Sequence, residues 1–327
     1  MFHSRRRRGT YNIETFSVIT HMIQDIEKSE RYYKGKMSVE ITRPRIDVIN
    51  EVIYAQYFKN GTRSLHMTLF VPNTDEPKPC VVYFPGGGFT TSDYGKWSRL
   101  RMAMALQGFV VAAVEYRAIP DPFPAILIDG KTAIRYLRAH AQQFGIDGNR
   151  IGVMGNSAGG YLANLVTMTA DVEEFNVGDF LEYSSDTQAC CDIFGPTDLA
   201  SVDEGFPPEV HKYHKSPSAT EALLLNGVTY GRNQSYDIHD DLVRARWASP
   251  MGYLKTGLPP FLIMHGTNDQ MVSIMQSEHL YDGLKALRVP VDYYQLKDAG
   301  HGDDPWFQQP VIELIVNWFR KQLMNVD

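Results

Sequence analysis

The chain has 327 residues, of which 43% are hydrophobic and 21% charged, and its 32 basic and 38 acidic side chains give a net charge of −6. Such a composition is ordinary for a globular protein, and the acidic balance argues against nucleic acid as a partner, because nucleic-acid binding rewards a basic surface. The sequence contains no apolar run of about 18 residues, so we expect no membrane span.

Cysteine usage bears on the redox compartment. The three cysteines, Cys80, Cys190 and Cys191, are too few for a disulfide framework, and no CxxC or Cys/His cluster suggests a metal. The basic N-terminus MFHSRRRRG is followed by a segment that soon carries charge and lacks the apolar core of an export signal. We therefore expect a cytoplasmic protein without metal or cofactor.

The N-terminal part of the chain predicts a helix followed by a hairpin. Apolar residues at helical spacing predict a helix over residues 11–34. Residues 46–58 and 65–71 are typical of paired strands around a turn at Asn60-Gly61.

From residue 80 onward, apolar strands alternate with helical segments. The predicted strands cover residues 80–84, 109–116, 150–154, 189–194, 261–265 and 291–296. The predicted helices cover residues 97–107, 124–143, 158–169, 273–287 and 308–323. Strands that are apolar on both faces, with helices between them, predict a doubly wound α/β fold: a mostly parallel sheet with helices on both faces.

One stretch interrupts this alternation. Residues 198–248 are rich in His, Pro, Asp and Asn and are too long for a simple connection, which predicts an insertion that caps the sheet. We expect residues 1–60 to form a helix and a leading strand packed on a catalytic domain of residues 61–327 that includes this cap.

A glycine-flanked serine follows the strand at 150–154. The motif GNSAG (155–159) matches G-x-S-x-G between a strand and a helix, where a tight turn presents the serine hydroxyl at the end of the sheet. A serine N-cap on a glycine-rich helix is the structural alternative. The glycine spacing fits neither a phosphate-binding loop nor a dinucleotide site. The motif therefore indicates Ser157 as a nucleophile.

A serine nucleophile needs a base, and the base needs an orienting acid. His301 lies in a glycine-containing loop after the strand at 291–296, and Asp269 follows the preceding strand. Because the carboxyl ends of parallel strands share one edge of the sheet, we predict that Ser157, Asp269 and His301 meet there.

Other titratable residues could fill the same roles. Three acids lie closer to His301 in the sequence: Asp298, Asp303 and Asp304. His265 is a competing base that we interpret as a structural histidine bonded to backbone. The spacing of His211 and His214 suits a metal on a helix, but no third ligand is apparent, which favours a solvated or cap role.

The stretch VVYFPGGGF (81–89) joins a strand to three consecutive glycines. Acyl transfer creates an oxyanion that needs preorganised N–H donors. We predict that Ala158, directly after the serine, supplies one donor, and that Gly87 and Gly88 supply others. Phe89 and Trp306, together with the cap, are expected to shape the substrate pocket.

Six stretches, taken in order, resemble α/β-hydrolase-fold serine esterases of the acetyl-esterase and hormone-sensitive-lipase type. They span roughly residues 65–325 and are PGGGF (85–89), EYRAIPDPFPAILID (115–129), GIDGNRIGVMGNSAGGYLA (145–163), FGPTDL (194–199), HGTNDQMV (265–272) and AGHG (299–302). Pro85 and Asn156 depart from the lipase pattern, which has histidine and an acid at these positions. The PGGG loop is more similar to that of bacterial acetyl-xylan and feruloyl esterases.

The resemblance implies an α/β-hydrolase fold, a Ser157–His301–Asp269 triad and an oxyanion hole of Gly87, Gly88 and Ala158. It implies a cofactor-free enzyme that cleaves small short-chain acyl or phenolic-acid esters through an acyl-enzyme. A peptidase or lactonase on the same fold, and a homologue that binds a small ligand without catalysis, are the alternatives.

Overall fold

The computed structural model describes these residues: 36–58, 61–228 and 236–324. The helix expected over 11–34 and the turn residue Asn60 lie outside the described residues. The chain divides into two compact units, Met1–Arg43 and Pro44–Asp327. In the first unit the described residues form neither helix nor strand. The expected packing of residues 1–60 on the larger domain stays a prediction.

The second unit contains one sheet. In the described residues its eight strands are β1 (Ile46–Phe58), β2 (Thr62–Pro72), β3 (Lys78–Phe84), β4 (Val110–Val114), β5 (Ile146–Asn156), β6 (Ala189–Ile193), β7 (Phe261–Gly266) and β8 (Val291–Leu296). Their spatial order is β1-β2-β4-β3-β5-β6-β7-β8. β2 pairs antiparallel with β1 and β4, and all other neighbours are parallel. The predicted doubly wound, mostly parallel sheet is confirmed.

Helices connect most of these strands. Over the described residues they are α1 (Ser98–Leu106), α2 (Ala125–Ala139), α3 (Ala141–Phe144), α4 (Ala158–Met168), α5 (Pro208–His214), α6 (Thr220–Asn226), α7 (Leu242–Trp247), α8 (Ile274–Ala286) and α9 (Gln309–Met324). The helix expected over 124–143 is interrupted at His140, whose ring nitrogen Nδ1 lies 2.9 Å from the Tyr136 carbonyl oxygen. None of the helices described is long and apolar enough to cross a bilayer.

The hydrophobic core lies on both faces of the sheet. Every residue of the central strands β3 and β4 is buried, as a parallel sheet covered on two sides requires. β8 differs from the expectation that all strands after residue 80 are apolar on both faces, because Asp292, Tyr294 and Gln295 are exposed. β8 is an edge strand with a partner strand on one side only, so part of it faces solvent. The three cysteines are buried free thiols.

The long connection between β6 and β7 contains the segment expected to be an insertion. Within residues 198–248, of which 229–235 lie outside the description, the chain forms a short 3-10 turn at Leu199–Ser201 and then α5, α6 and α7. The described part of this segment adds no strand to the sheet. Its helices follow the carboxyl end of β6, the edge of the sheet at which Ser157 also lies.

Candidate active site

Ser157 occupies a strained turn between β5 and α4. Its backbone angles, φ 55° and ψ −126°, lie in a region that residues with a side chain rarely adopt. The flanking glycines are required by close packing. A Cβ atom on Gly159 would lie 2.0 Å from the Phe84 carbonyl oxygen, and one on Gly155 would lie 2.1 Å from the Gly159 carbonyl oxygen. The G-x-S-x-G pattern thus allows β3, β5 and α4 to converge beneath the serine.

A chain of hydrogen bonds runs from Ser157 to Asp269. The Ser157 Oγ atom lies 2.9 Å from His301 Nε2, and His301 Nδ1 lies 2.7 Å from Asp269 Oδ2. Asp269 Oδ1 accepts the backbone N–H groups of Met271 at 2.8 Å and Val272 at 3.0 Å. A carboxylate only accepts, so the network assigns the imidazole proton to Nδ1 and leaves Nε2 to accept from the serine.

The Asp269 carboxylate is stabilised in its ionised form. Burial by itself raises the pKa of this group, but hydrogen bonds from His265, His301 and the Val272 N–H outweigh burial and hold the pKa well below its usual range. Asp269 is therefore charged at neutral pH. A charged carboxylate fixes the imidazole orientation and stabilises an imidazolium that forms beside it.

The competing base His265 and the competing acid Asp303 make contacts elsewhere than at Ser157. His265 is fully buried, with Nδ1 2.7 Å from Ser277 Oγ and Nε2 3.0 Å from the Val272 carbonyl oxygen and 3.4 Å from Asp269 Oδ2, contacts that suit a structural histidine beside the acid. Asp303 accepts the N–H of Gly300 at 2.8 Å and so braces the loop that carries His301.

Asn156 connects the serine turn to the glycine loop after β3. Its Oδ1 atom accepts the Gly86 N–H at 3.1 Å and the Tyr83 hydroxyl at 2.8 Å. The sequence marked Asn156 only as a departure from a lipase pattern. The two residues that it contacts lie 73 and 70 positions away in the sequence, and only the folded sheet brings them next to Asn156.

Further side chains fix the loop's carbonyl groups. The Tyr116 hydroxyl donates to the Pro85 carbonyl oxygen, and Lys96 Nζ donates to the Gly86 carbonyl oxygen at 3.2 Å. The Gly87 carbonyl oxygen accepts from the Thr90 N–H at 3.0 Å. Each of these three carbonyl groups is thereby held by a hydrogen bond.

The amides of Gly87 and Gly88 remain available. Neither donates a hydrogen bond to any residue in the described part of the chain. Gly88 has φ 56°, a left-handed conformation that glycine adopts without steric cost. Ala158 is the first residue of α4, where a backbone N–H has no acceptor within the helix. The sequence-predicted donors are therefore unpaired amides beside the serine.

Two cavities meet at the serine. The first, called the cap cavity, has a volume of about 440 Å³ and is lined by Phe89, Ala158 and residues of the 198–248 segment. The second, called the loop cavity, has a volume of about 520 Å³ and is lined by the glycine loop, Lys96 and Trp97. The residues common to both are Gly88, Ser157, Met271 and His301. A molecule bound at Ser157 therefore has room on two sides.

The two aromatic residues predicted for the pocket have different positions. Phe89 lines the cap cavity, and its ring packs edge-on against Tyr161 at a centroid distance of 5.1 Å. Trp306 is fully buried and lines neither cavity, contrary to the expectation. Its indole N–H donates to the Gly300 carbonyl oxygen at 2.8 Å, which holds the ring behind the His301 loop.

Phe194 was not singled out by the sequence as a pocket residue. Its ring lies 4.6 Å from that of His301 and 4.6 Å from that of Trp306, between centroids, so it packs between the imidazole and the core. The same ring lines the loop cavity. The backbone of Phe194 has a positive φ of 45° directly after β6. No pattern in the sequence predicts such an angle.

The strand order and the strained serine turn define the chain as an α/β-hydrolase fold. The model of the BD-FAE family matches residues 67–284, and the chain belongs to that family.

Curated relatives include two proteins of Mycobacterium tuberculosis (strain ATCC 25618 / H37Rv). Esterase LipC is 32% identical over 238 residues, which are 70% of this chain and 54% of LipC. The probable carboxylic ester hydrolase LipM is 28% identical over 229 residues, 69% of this chain and 49% of LipM. The chain thus spans about half the length of these relatives.

Solved structures share the fold. A truncated carbohydrate esterase from gut microbiota superposes with a TM-score of 0.72 at 23% identity, covering 88% of this chain and 100% of that one. Native Est2, an esterase of the planctomycete Thermogutta terrifontis, gives a TM-score of 0.63 at 22% identity, with 88% and 95% of the two chains covered.

Proposed function

We propose that the protein is a serine esterase that hydrolyses carboxylic esters, with Ser157 as nucleophile, His301 as general base and Asp269 as the orienting acid. The observation that carries this proposal is the hydrogen-bonded chain of these three side chains at the junction of two cavities. The relatives named as esterases support it.

The geometry suits a two-step acyl transfer. Ser157 Oγ attacks the ester carbonyl carbon while its proton passes to His301 Nε2, and Asp269 stabilises the imidazolium. The bond to the leaving oxygen then breaks, and the imidazolium gives its proton to the departing alcohol. Water, deprotonated by His301, attacks the acyl-enzyme, and the acid leaves as Ser157 regains its proton. No cofactor enters these steps.

The oxyanion of each tetrahedral intermediate is assigned to the amides of Gly87, Gly88 and Ala158. Their N–H groups have no competing acceptor among the residues that the structure describes, and the bracing by Asn156 and Lys96 fixes the loop before substrate arrives. Fixed donors stabilise developing charge without reorganisation, and one such donor contributes about 2.7–4 kcal/mol in well-studied enzymes.

The two cavities suit the two sides of a small ester. With the carbonyl carbon at Ser157, one side of the ester occupies the cap cavity and the other occupies the loop cavity. Volumes of about 440 and 520 Å³ suit short-chain acyl or phenolic-acid groups. Residues 198–248 act as a cap over this site in the proposed function. We also propose a cytoplasmic location, because the few cysteines indicate a reducing compartment.

A Ser157→Ala variant tests the proposal on acetyl, butyryl, octanoyl, feruloyl and galloyl esters. Alanine keeps the Cβ atom and the same backbone strain, so thermal unfolding should match the wild type while hydrolysis is abolished. Ser218→Ala, which changes an exposed serine of the cap, should retain turnover. Wild-type rates in Ser157→Ala exclude the nucleophile assignment. Wild-type activity on peptides or lactones alone favours those alternatives, and binding without turnover favours a non-catalytic homologue.

A further inference from the structure

The cap cavity contains a buried polar pair. His214 ends α5 and Glu221 lies in α6, and both line the cavity although their exposed fractions are only 6% and 3%. His214 Nδ1 lies 2.5 Å from Glu221 Oε1. Much of the remaining lining is apolar: Phe89, Ala158, Pro196, Leu199, Val202, Val210, Met271 and Val272.

His214 has one ring nitrogen without a partner. Glu221 holds Nδ1, and Nε2 makes no hydrogen bond to any residue described in the structure. His211, on the same helix, differs: its Nδ1 lies 3.0 Å from Asp203 Oδ2 and its Nε2 lies 2.8 Å from the Phe206 carbonyl oxygen. His211 does not line the cavity. Of these two histidines of α5, only His214 therefore offers a free ring nitrogen next to the cavity.

The charge of the lining restricts what can pair with this nitrogen. Glu209 and Glu221 line the cap cavity, and no lysine or arginine does so among the residues that the structure covers. A carboxylate or phosphate on the ligand would face two carboxylates without a fixed cation, which is unfavourable in a largely apolar cavity. A neutral hydroxyl can donate to Nε2 or accept from it, so it pairs with either form of the ring.

We propose that the acyl part of the ester occupies the cap cavity and that His214 recognises a hydroxyl group on it, with Glu221 as a positioning residue that fixes the imidazole. The inference rests on the proposed esterase function and names a specificity determinant for it. A site that holds a polar atom ready for a hydroxyl disfavours an analogue without one, because the buried polar atom is then left unpaired.

Four methyl esters test this inference. Methyl 3-phenylpropanoate is the parent, and its 2-, 3- and 4-hydroxyphenyl isomers place a hydroxyl at three distances from the carbonyl. For wild type, kcat/KM for at least one isomer should exceed that of the parent by about tenfold, the effect of one well-placed hydrogen bond. His214→Phe/Glu221→Leu should reduce that ratio to about one, because it keeps ring shape and removes both polar partners together.

Controls separate the possible failures. His211→Gln changes the neighbouring histidine outside the cavity and should keep the wild-type ratio. If circular dichroism shows that the double variant is unfolded, His214→Leu/Glu221→Gln replaces it with the same expected loss. Equal wild-type rates on all four esters, or an unchanged preference in the folded variant, overturn this inference alone. An absence of wild-type turnover on every ester contradicts the proposed function and the inference with it.

Discussion

Asn156, the residue before the proposed nucleophile, shows how one side chain links the serine turn to the glycine loop. Its amide oxygen accepts hydrogen bonds from the Gly86 N–H and the Tyr83 hydroxyl. An aspartate has oxygen atoms that can accept the same two bonds. The asparagine here and the acid of the lipase pattern are therefore compatible with one role, that of bracing the loop.

Substitutions at Asn156 test this role. Asn156→Asp keeps both acceptor contacts, so we expect kcat to stay within about threefold of wild type. Asn156→Leu has a similar volume but no acceptor, which frees the loop, and kcat should fall by about tenfold to a hundredfold with a smaller change in KM. Steady-state kinetics on a short-chain ester measures both. Equal losses in the two variants would contradict bracing by hydrogen bonds.

Asp192, at the end of β6, is a buried carboxyl group below α4. It accepts hydrogen bonds from Asn164 Nδ2 at 2.7 Å and from the Gly195 N–H at 2.8 Å. Burial raises its pKa to about 6, and these hydrogen bonds only partly offset the effect. The folded protein therefore holds a proton on Asp192 at a pH where the unfolded chain has released it.

The raised pKa of Asp192 predicts a pH-dependent stability. Between about pH 4 and 6 the folded state binds more protons than the unfolded state, so the free energy of unfolding falls as pH rises. The difference from the ordinary value of 3.8 to about 6 corresponds to at most about 3 kcal/mol. Asp192→Asn should lack this decline. Denaturant unfolding of both proteins at pH 4.5 and 7.5 measures it, and parallel pH profiles would refute the assignment.

At the scale of secondary structure, the close approach of β3 to α4 positions the nucleophile. A Cβ atom on Gly159 would lie 2.0 Å from the Phe84 carbonyl oxygen, a backbone atom of the central strand that cannot move aside by itself. The glycine is thus a packing requirement of the strand–turn–helix unit.

Gly159→Ala should separate these elements. We expect unfolding at ordinary temperature or a loss of more than about 4 kcal/mol in the free energy of unfolding, the range of severe core disruption. Gly257→Ala is the matched control, since that glycine has φ 79° but no atom within 4 Å of an added Cβ. It should lose only about 1–2 kcal/mol from backbone strain. Similar losses in the two variants, measured by denaturant unfolding, would show that packing is not the cause.

The bounds of several predicted elements were accurate where the spacing of apolar residues was regular. The strand over 291–296 and the helix over 158–169 lie within one residue of β8 and α4. The interruption at His140 was missed because the next helix begins directly after it, and the buried residues Leu137 and Phe144 keep helical spacing across the break. The exposed face of β8 was missed because its edge position depends on the order of all strands.

At the scale of the complete fold, the order of the parallel strands along the chain predicted which side chains would meet. Ser157, Asp269 and His301 follow β5, β7 and β8, and parallel strands bring their carboxyl ends to one edge of the sheet. The position of Trp306 behind the site depends on its packing against Phe194, which is distant in the sequence. The pair of His214 and Glu221 joins two helices that are neighbours in the chain, but its place in the cap cavity depends on how those helices pack at the sheet edge. No local pattern in the sequence encodes such packing.

The cap and loop cavities meet at Ser157 but are lined by mostly different parts of the chain. In the proposed function, side chains of the sheet edge carry out the chemistry, whereas residues 198–248 supply much of the lining of the cap cavity. We therefore assign catalysis to the sheet edge and much of the substrate preference to the segment between β6 and β7.

Stoichiometric labelling with an organophosphate such as paraoxon tests the assignment of Ser157 as nucleophile, because the reagent phosphorylates an activated serine and remains bound. Peptide mass spectrometry should find one diethylphosphoryl group per chain, on Ser157, with ester hydrolysis lost in proportion to labelling. Ser157→Ala should remain unlabelled. Inactivation that accompanies labelling of a different residue, or undiminished hydrolysis by protein fully labelled on Ser157, would contradict the assignment of Ser157 as the nucleophile.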